Sequence, residues 1–197
     1  QDSKETIWLG VQGNLLRLNQ EKKITPIKIE VLKGKTVFAI IEDHTNRLWV
    51  GTESHGIFVL DQNGTLLKNY VADKDKVNSL NNNSIKSIYC DKNGTIWIGT
   101  NGSGLNRFNE KTENFTSFTT ENGLPNNVIY GILEDTSRNL WLSSNLGIAK
   151  FNMDSHQIKI FTVDDGLQSN EFNSGSFYQS NDGEMFFGGI EGLNSFY

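Results

Sequence analysis

The apolar residues of this chain recur in short runs centred on an aromatic residue. Leu48-Trp49-Val50, Ile96-Trp97-Ile98 and Leu140-Trp141-Leu142 are apolar at every position, without the alternation expected of a strand that has one wet face. Trp8 and Phe186 hold the same place in two further copies, and successive copies lie 41 to 48 residues apart. Such strands are typical of sheets that neighbouring elements cover on both faces.

A constant set of turn residues surrounds each aromatic position. An aspartate stands six residues before each tryptophan, and polar and glycine residues follow it, as in Asp91-Lys92-Asn93-Gly94. This pattern predicts a tight hairpin. Six or seven residues after the aromatic position, a glycine such as Gly104 opens another short strand. One unit is therefore predicted to contain strands at 84–91, 95–100, 105–109 and 114–119, and no segment shows a sustained helical period.

Repeats of this length built from short strands predict an all-β fold of four-stranded antiparallel β-propeller blades. Each tryptophan is expected between neighbouring blades, with Gly99 leaving room beside Trp97. The repeat units are expected at approximately 1–34, 35–80, 81–125, 126–170 and 171–197. The first unit begins near its second strand and the last stops after its third, so we expect about four and a half blades and a partial propeller. An open stack of this kind predicts self-association through the terminal blades, or closure into an abnormal ring.

The repeat resembles the two-component regulator propeller repeat. Residues 88–91, 95–100 and 104–105 match that family's pattern almost without interruption, and Gly123-Leu124-Pro125-Asn126-Asn127 resembles its linker into the next blade. A second copy of the linker begins at Gly166-Leu167. The segment from Glu171 to Tyr197 is similar to the last blade before the family's small β-sandwich domain.

The resemblance implies a role that the repeat pattern alone does not. In that family, propellers form the periplasmic sensor of hybrid histidine kinases, commonly in gut Bacteroidetes, and those proteins sense glycan fragments and regulate polysaccharide-utilisation genes. The implied location is the periplasm, in a domain of an inner-membrane protein. The implied partners are an oligosaccharide ligand, the remaining propeller blades and the β-sandwich domain of the parent protein.

Composition removes several other classes of function. The chain has 18 basic and 23 acidic residues, a net charge of −5 and no Lys/Arg cluster, so a nucleic-acid partner is not expected. No apolar run approaches the length of a membrane span, so we expect no membrane contact by this segment. Cys90 is the single cysteine, which excludes an internal disulfide framework and a cysteine-based zinc site.

Candidate ligand contacts lie in the loops that join the second and third strands of each unit. These loops and the connectors between units are expected on the same face of the propeller, where polar side chains can bind sugar hydroxyls. For each residue, ordinary loop polarity is the competing interpretation. The candidates are Glu53, His55, Asn101, Ser103, Asn145 and Glu191.

No catalytic residue, metal site or cofactor is expected. The turn at Asp91 lacks the extended ligand loop and terminal glutamate of a calcium site. Glu121, Asp164 and Asp165 offer carboxylates for glycoside cleavage, but similar residues precede both Gly-Leu linkers, which favours a linker role. A ligand-binding sensor is thus the leading hypothesis. A polysaccharide lyase or glycosidase and a protein-interaction scaffold stay open as alternatives.

Overall fold

Eighteen strands form five antiparallel sheets in the computed structural model, which describes residues 1–18, 21, 23–27 and 29–197. Within each sheet the strands follow one another in chain order, and each strand pairs with the next. We number the sheets as blades 1 to 5. Blade 1 contains β1 (Ile7–Val11), β2 (Asn14–Leu18) and β3 (Ile24–Ile27), and blade 2 contains β4 (Val37–Glu42), β5 (Leu48–Thr52), β6 (Ile57–Leu60) and β7 (Leu66–Tyr70).

The other three blades repeat this meander. Blade 3 contains β8 (Ile85–Cys90), β9 (Ile96–Thr100), β10 (Leu105–Asn109) and β11 (Asn114–Phe118), which confirms the four strands predicted for that unit. Blade 4 contains β12 (Gly131–Glu134), β13 (Asn139–Ser143), β14 (Ile148–Asn152) and β15 (Ile158–Phe161). Blade 5 contains β16 (Phe172–Gln179), β17 (Met185–Gly189) and β18 (Gly192–Phe196).

The blade count corrects the expectation of about four and a half. Among the described residues, blades 2 to 4 have four strands and blades 1 and 5 have three. Each three-stranded sheet packs on its neighbour as a blade in its own right, so the chain forms five blades. The all-β propeller fold is as predicted.

The first strands of consecutive blades contact one another and lie on the inside of the stack. β4 contacts β8, β8 contacts β12, and β12 contacts β16. The fourth strands, such as β11 and β15, are the last in each sheet and lie outermost. This arrangement is that of propeller blades set side by side around an axis.

The tryptophans fill the interfaces between blades, as predicted. Trp49 meets Phe108 of blade 3 at a ring-centroid distance of 5.0 Å, and Trp141 meets Phe196 of blade 5 at 4.6 Å. Four buried hydrophobic clusters correspond to the four interfaces between the five blades. The apolar core is therefore divided among interfaces, and each blade depends on its neighbours for burial.

Close approach of successive blades depends on glycine two residues after the tryptophan in blades 1, 2 and 3, whereas Ser143 holds this place in blade 4. A Cβ atom on Gly51 would lie 2.6 Å from Ile85 Cγ2 of the next blade, and one on Gly10 would lie 2.7 Å from Val37 Cγ1. On Gly99 it would lie 2.7 Å from the carbonyl oxygen of Ile129. Gly99 therefore leaves room for the connector into blade 4, and its expected role of leaving room beside Trp97 stays a prediction.

The aspartate six residues before each tryptophan closes the hairpin and binds the indole. Asp91 Oδ1 accepts the amides of Asn93 and Thr95 at 2.9 and 2.8 Å, and its Oδ2 accepts Trp97 Nε1 at 3.0 Å. The same bonds recur at Asp2, Asp43 and Asp135. In blade 5, Ser180 stands at the aspartate position and Phe186, which has no N–H, at the tryptophan position. Blade 5 therefore lacks both the carboxylate acceptor and the indole donor of this hydrogen bond.

A second hydrogen bond joins the hairpin of one blade to the first strand of the next. Glu42 Oε2 accepts the amide of Ser3 at 2.6 Å, and Glu134 Oε2 accepts the amide of Lys92 at 3.1 Å. Each glutamate ends a first strand, and each amide belongs to the residue after an aspartate of the preceding blade. Cys90 takes this place in blade 3, where its Sγ lies 3.9 Å from His44 Nδ1.

The outer faces of the terminal blades expose apolar side chains. Leu9 of blade 1 is 40% exposed, whereas every residue of β5, the equivalent strand of blade 2, is buried. In blade 5, Tyr178 and Leu193 are 62% and 60% exposed. The two terminal blades therefore do not bury these side chains against each other.

Candidate functional site

The loops between second and third strands share one hydrogen-bonded design in blades 2, 3 and 4. The hydroxyl of Thr52 donates to the carbonyl oxygen of Gly56 at 2.9 Å and accepts the amide of His55 at 3.0 Å. Thr100 forms the same two bonds with Gly104 and Ser103. Ser144 does so with Gly147 and Leu146. These loops are held rigidly, which is the form that a preorganised binding surface requires.

A glycine ties each loop to the connector that leads into a neighbouring blade. The amides of Gly56, Gly104 and Gly147 donate to the carbonyl oxygens of Asn83, Asn127 and Asn170. Gly104 has a φ of +75°, and a Cβ atom on it would collide with the carbonyl oxygen of Phe118. Only glycine both adopts this positive φ without strain and leaves space for that carbonyl oxygen. Loops and connectors therefore do emerge together, on one face of the propeller, which we call the loop face.

Some polar connector residues serve the backbone. Asn127 Oδ1 accepts the amide of Thr120 at 2.9 Å, and Asn170 Oδ1 accepts that of Val163 at 2.9 Å. Asn126 Oδ1 accepts the amide of Val128 at 2.7 Å. Their amide oxygens shape the connectors and are already occupied, so they offer less to a ligand than their polarity suggests.

The acidic connector residues form part of a short capped turn. Asp165 Oδ2 accepts the amide of Thr162 at 3.0 Å, and Asn122 Oδ1 accepts that of Thr119 at 2.9 Å in the equivalent turn. Both turns have a capping box and end on a glycine in the left-handed conformation. The same place in the repeat thus holds a carboxylate or an amide for the same bond, which argues for a structural role.

The six candidate residues are distributed over four blades of the loop face. Glu53 and His55 are exposed on blade 2, Glu191 is exposed on blade 5, and Asn145 is half-buried on blade 4. His55 Nδ1 lies 3.0 Å from Ser54 Oγ.

Asn101 and Ser103 are brought together on blade 3. Asn82 Nδ2 lies 3.2 Å from the Asn101 carbonyl oxygen and 3.2 Å from Ser103 Oγ, and it donates to both. Asn101 itself is exposed and Ser103 half-buried. This connector amide therefore fixes the position of both candidates.

Two side chains of the loop face retain unused hydrogen-bonding capacity. Asn145 Oδ1 is buried and accepts no hydrogen bond from the described part of the chain. Gln168 Oε1 accepts the amide of Glu191 at 2.7 Å, while its buried Nε2 has no acceptor there either. Sequence reasoning missed Gln168, whose position in the second linker copy was the available signal.

Across the residues that the structure describes, no three His, Cys, Asp or Glu side chains are placed to hold a metal ion.

Cys90 is a half-buried free thiol at the interface of blades 2 and 3, and burial raises the pKa of that thiol. In the same residues, no helix is long and apolar enough to cross a bilayer.

Fold, hairpins and loop face together define a β-propeller built of short tandem repeats. The model of the two-component regulator propeller family matches residues 32–54, 79–102 and 123–146, each of which runs from a connector through two strands into a loop. Three repeats of the chain therefore match the two-component regulator propeller, as the resemblance predicted.

Comparison with known proteins places similar repeats in larger signalling proteins. Histidine kinase P4 of Formosa agariphila is 32% identical over 208 residues, which cover 99% of this chain and 15% of that protein. The extracellular domain of the putative hybrid two-component system BT3049 of B. thetaiotaomicron is 25% identical, with a TM-score of 0.66 over 99% of this chain and 32% of that one. The chain thus spans a minor part of each.

This chain resembles one lyase in fold alone. A catalytically inactive virginiamycin B lyase of Staphylococcus aureus matches 99% of this chain and 67% of that chain with a TM-score of 0.72, at 18% identity. Identity this low carries no information about chemistry, because one fold hosts many unrelated functions.

Proposed function

We propose that this chain is a segment of the periplasmic sensor region of a hybrid two-component histidine kinase, an inner-membrane protein. The observation that carries the proposal is similarity along nearly the whole chain to a histidine kinase and to the extracellular domain of a hybrid two-component system. The segment binds and transmits, and it performs no catalysis of its own.

The ligand in this proposal is a glycan fragment held on the loop face. Sugar hydroxyls need donors and acceptors at fixed positions, and the loops supply both on a rigid scaffold. The residues proposed to contact it are Glu53, His55, Asn101, Ser103, Asn145 and Glu191. Asn145 supports the proposal most directly, because its buried Oδ1 lacks a donor among the described residues and would gain one from a hydroxyl.

The outer faces of blades 1 and 5 are the proposed contacts with the rest of the parent protein. At the internal interfaces, the positions equivalent to Leu9 and Leu193 pack against a neighbouring blade, as Val50 and Leu105 do. Further blades would bury the same positions, and the β-sandwich domain would follow them along the chain. Alone in solution, the chain would associate with further copies of itself through these faces.

A binding screen tests the ligand. The chain would be titrated with a panel of neutral and acidic oligosaccharides, with thermal stability and calorimetry as the readouts. We expect at least one glycan to raise the melting temperature, and Asn145→Ala to weaken its binding about tenfold, the factor for one lost hydrogen bond. Asn63→Ala, on an exposed hairpin between β6 and β7, is the matched control. Absence of binding across the panel would refute the glycan ligand.

A further inference from the structure

The connector between blades 2 and 3, residues 71–84, is longer than its counterparts. In the connectors after blades 2, 3 and 4, an asparagine side chain accepts a backbone amide near the start. Asn83 accepts that of Ala72, eleven residues earlier, whereas Asn127 and Asn170 accept amides seven residues earlier. Four extra residues therefore lie between fixed ends.

The extra length is pinned to blade 3. The amide of Phe115 in β11 donates to the carbonyl oxygen of Asn78 at 2.8 Å, and Leu80 is 1% exposed. Ala72 and Leu80 form a parallel bridge that closes the base of the loop. The segment between them, residues 73–79, forms one side of the cleft described below, and we call it the wall.

A cleft of about 600 Å³ lies between this wall and β11. Its volume falls in the range of small-molecule sites, about 300–1,000 Å³. We call it the connector cleft. It is lined by Ala72, Asp73, Lys74, Lys76, Asn78, Ser79, Leu80, Asn81, Phe115, Thr116 and Ser117.

A buried amide network links two of the lining residues. Asn106 is fully buried, its Nδ2 donates to Asn81 Oδ1 at 2.8 Å, and its Oδ1 accepts Ser117 Oγ at 3.0 Å. The equivalent positions in blades 2 and 4 are the apolar Phe58 and Ala149. A buried amide is tolerated only when its bonds are satisfied, and once satisfied it holds its neighbours in place. Blade 3 thus has a rigid polar support at this cleft.

The network continues to the loop face. Asn81 Nδ2 donates to the carbonyl oxygen of Ser103 at 2.6 Å. Ser103 is one of the proposed glycan contacts. A ligand in the connector cleft would therefore lie beside the loop of blade 3 and act on it through Asn81.

The charges of the cleft select the ligand. Lys74 and Lys76 are exposed, and neither ammonium group forms a side-chain hydrogen bond or ion pair with another described residue. Asp73 is the single acidic residue of the lining, so the lining carries one net positive charge. Asn78 and Thr116 add an exposed amide and an exposed hydroxyl.

We propose that the connector cleft binds a monosaccharide unit bearing one carboxylate. The lysines would donate charge-assisted hydrogen bonds to the carboxylate, while amide and hydroxyl groups would bind the ring hydroxyls. This inference rests on the proposed glycan-sensing function and names a site and a ligand chemistry for it.

A titration followed by two-dimensional amide NMR tests the site. The probes are D-glucuronate and D-galacturonate, their neutral counterparts D-glucose and D-galactose, and acetate as an anion without hydroxyls. We expect a uronate to shift the amides of residues 73–81 and 115–117 at about 1–10 mM, the affinity range for so small a ligand. The neutral sugar should require about tenfold more, and acetate should leave these amides in place.

A double variant tests the charge argument. Lys74→Ala with Lys76→Ala should weaken uronate binding at least tenfold and leave the neutral sugar unchanged, whereas Lys111→Ala, another exposed lysine of blade 3, should change neither. Equal shifts with acetate and uronate would overturn the inference, and so would no shift in the cleft with either uronate. Saccharide shifts confined to loops such as that of Glu53 would refute the cleft and leave the proposed function standing. Binding of no glycan anywhere would refute both.

Discussion

At the scale of single residues, the aspartate and tryptophan six positions apart shape the hairpins of blades 1 to 4. One carboxylate oxygen closes the hairpin and the other orients the indole that fills the next interface. The spacing was visible in the sequence, and it predicted the hairpin. The bond to the indole was not foreseen, because spacing alone does not show which way a side chain turns. Its repetition in four blades, and its joint loss at Ser180 and Phe186, show that the two residues act as a pair.

Replacing Asp91 by asparagine separates the two duties of this side chain. Asparagine has one acceptor oxygen, which can stay on the backbone amides, and its NH2 group would then face the Trp97 N–H. Two donors would meet there, so we expect a loss of about 1–3 kcal/mol in the free energy of unfolding. Asp61 accepts two backbone amides in the same way, and among the described residues no indole bonds to it. Asp61→Asn is therefore the matched control, with an expected cost of about 0.5 kcal/mol or less. Urea unfolding measures both, and equal losses would show that the indole bond contributes nothing.

Acid should destabilise the chain through the same carboxylates. Burial alone would raise the pKa of Asp43, but hydrogen bonds from Trp49 and Arg47 outweigh it and leave the pKa below its usual value. The pKa values of Asp2 and Asp135 are lowered for the same reason. A carboxyl whose pKa is lower in the folded chain stabilises fully above its unfolded pKa, about 3.9, and progressively less as the pH falls through the folded value.

The urea midpoint should therefore fall as the pH drops from about 5 to 2. In Asp43→Asn the fall should be shallower, because one of the carboxyls whose pKa is lowered in the folded chain has been removed. An unchanged midpoint across this window, or an identical slope in the variant, would contradict the assignment.

At the scale of elements, the blade interface is the unit of stability. In blades 1 to 3, the second strand presents a tryptophan to one neighbour, and the glycine two residues later admits the start of the next blade. The sequence predicted this well, because aromatic, aspartate and glycine positions recur at regular offsets. It predicted the connectors poorly. The interval from Trp49 to Trp97 is the longest of the series, yet length alone does not reveal that the extra residues form a wall over β11.

The candidate site was harder to predict for a related reason. Sequence reasoning selected polar loop residues and placed them on one face, and the hydrogen bonds between loops and connectors agree with that placement. It did not distinguish side chains that bind the backbone, such as Asn126 and Asn170, from those with unused capacity, such as Asn145 and Gln168. That distinction depends on partners distant in sequence.

Gly51→Ala tests the close approach between blades 2 and 3. The added methyl group would lie 2.6 Å from Ile85 Cγ2, so we expect a cost of about 1–3 kcal/mol from overpacking. Gly188 holds the equivalent place in blade 5, where the nearest atom to an added Cβ is Ser176 Cβ at 3.1 Å. Gly188→Ala should cost about 0.5 kcal/mol or less. Thermal or urea unfolding measures the stability of both variants. No loss of stability in Gly51→Ala would show that the interface has space for the added methyl group.

At the scale of the whole molecule, the chain is a stack of five blades with two uncovered ends. Burial is shared among four interfaces, so the terminal blades have half the support of the central ones. In the proposed sensor, ligand contact on the loop face would act by altering how neighbouring blades pack, because each blade is a single hydrogen-bonded sheet. Asn81 and Asn82 are well placed for this, since both join the connector cleft or its wall to the loop of blade 3.

Self-association is the expected consequence of the uncovered ends. Light scattering after size-exclusion chromatography should show a mass that rises with concentration. Leu9→Glu or Leu193→Glu should shift the chain towards monomer, because a charge at either end opposes burial. Val77 is 85% exposed but lies in the connector, so Val77→Glu should leave the mass unchanged. A monomer at all concentrations would refute association through these faces.

Phosphorylation of the parent protein tests the sensor proposal most directly. The full-length protein that contains this chain would be placed in membrane vesicles with its ligand-binding region accessible, and its autophosphorylation followed with and without a glycan that the chain binds. We predict that the glycan changes the rate, and that Asn145→Ala shifts the required concentration about tenfold upward without altering the rate at saturation. Phosphorylation that is indifferent to every glycan bound by the chain would contradict the account.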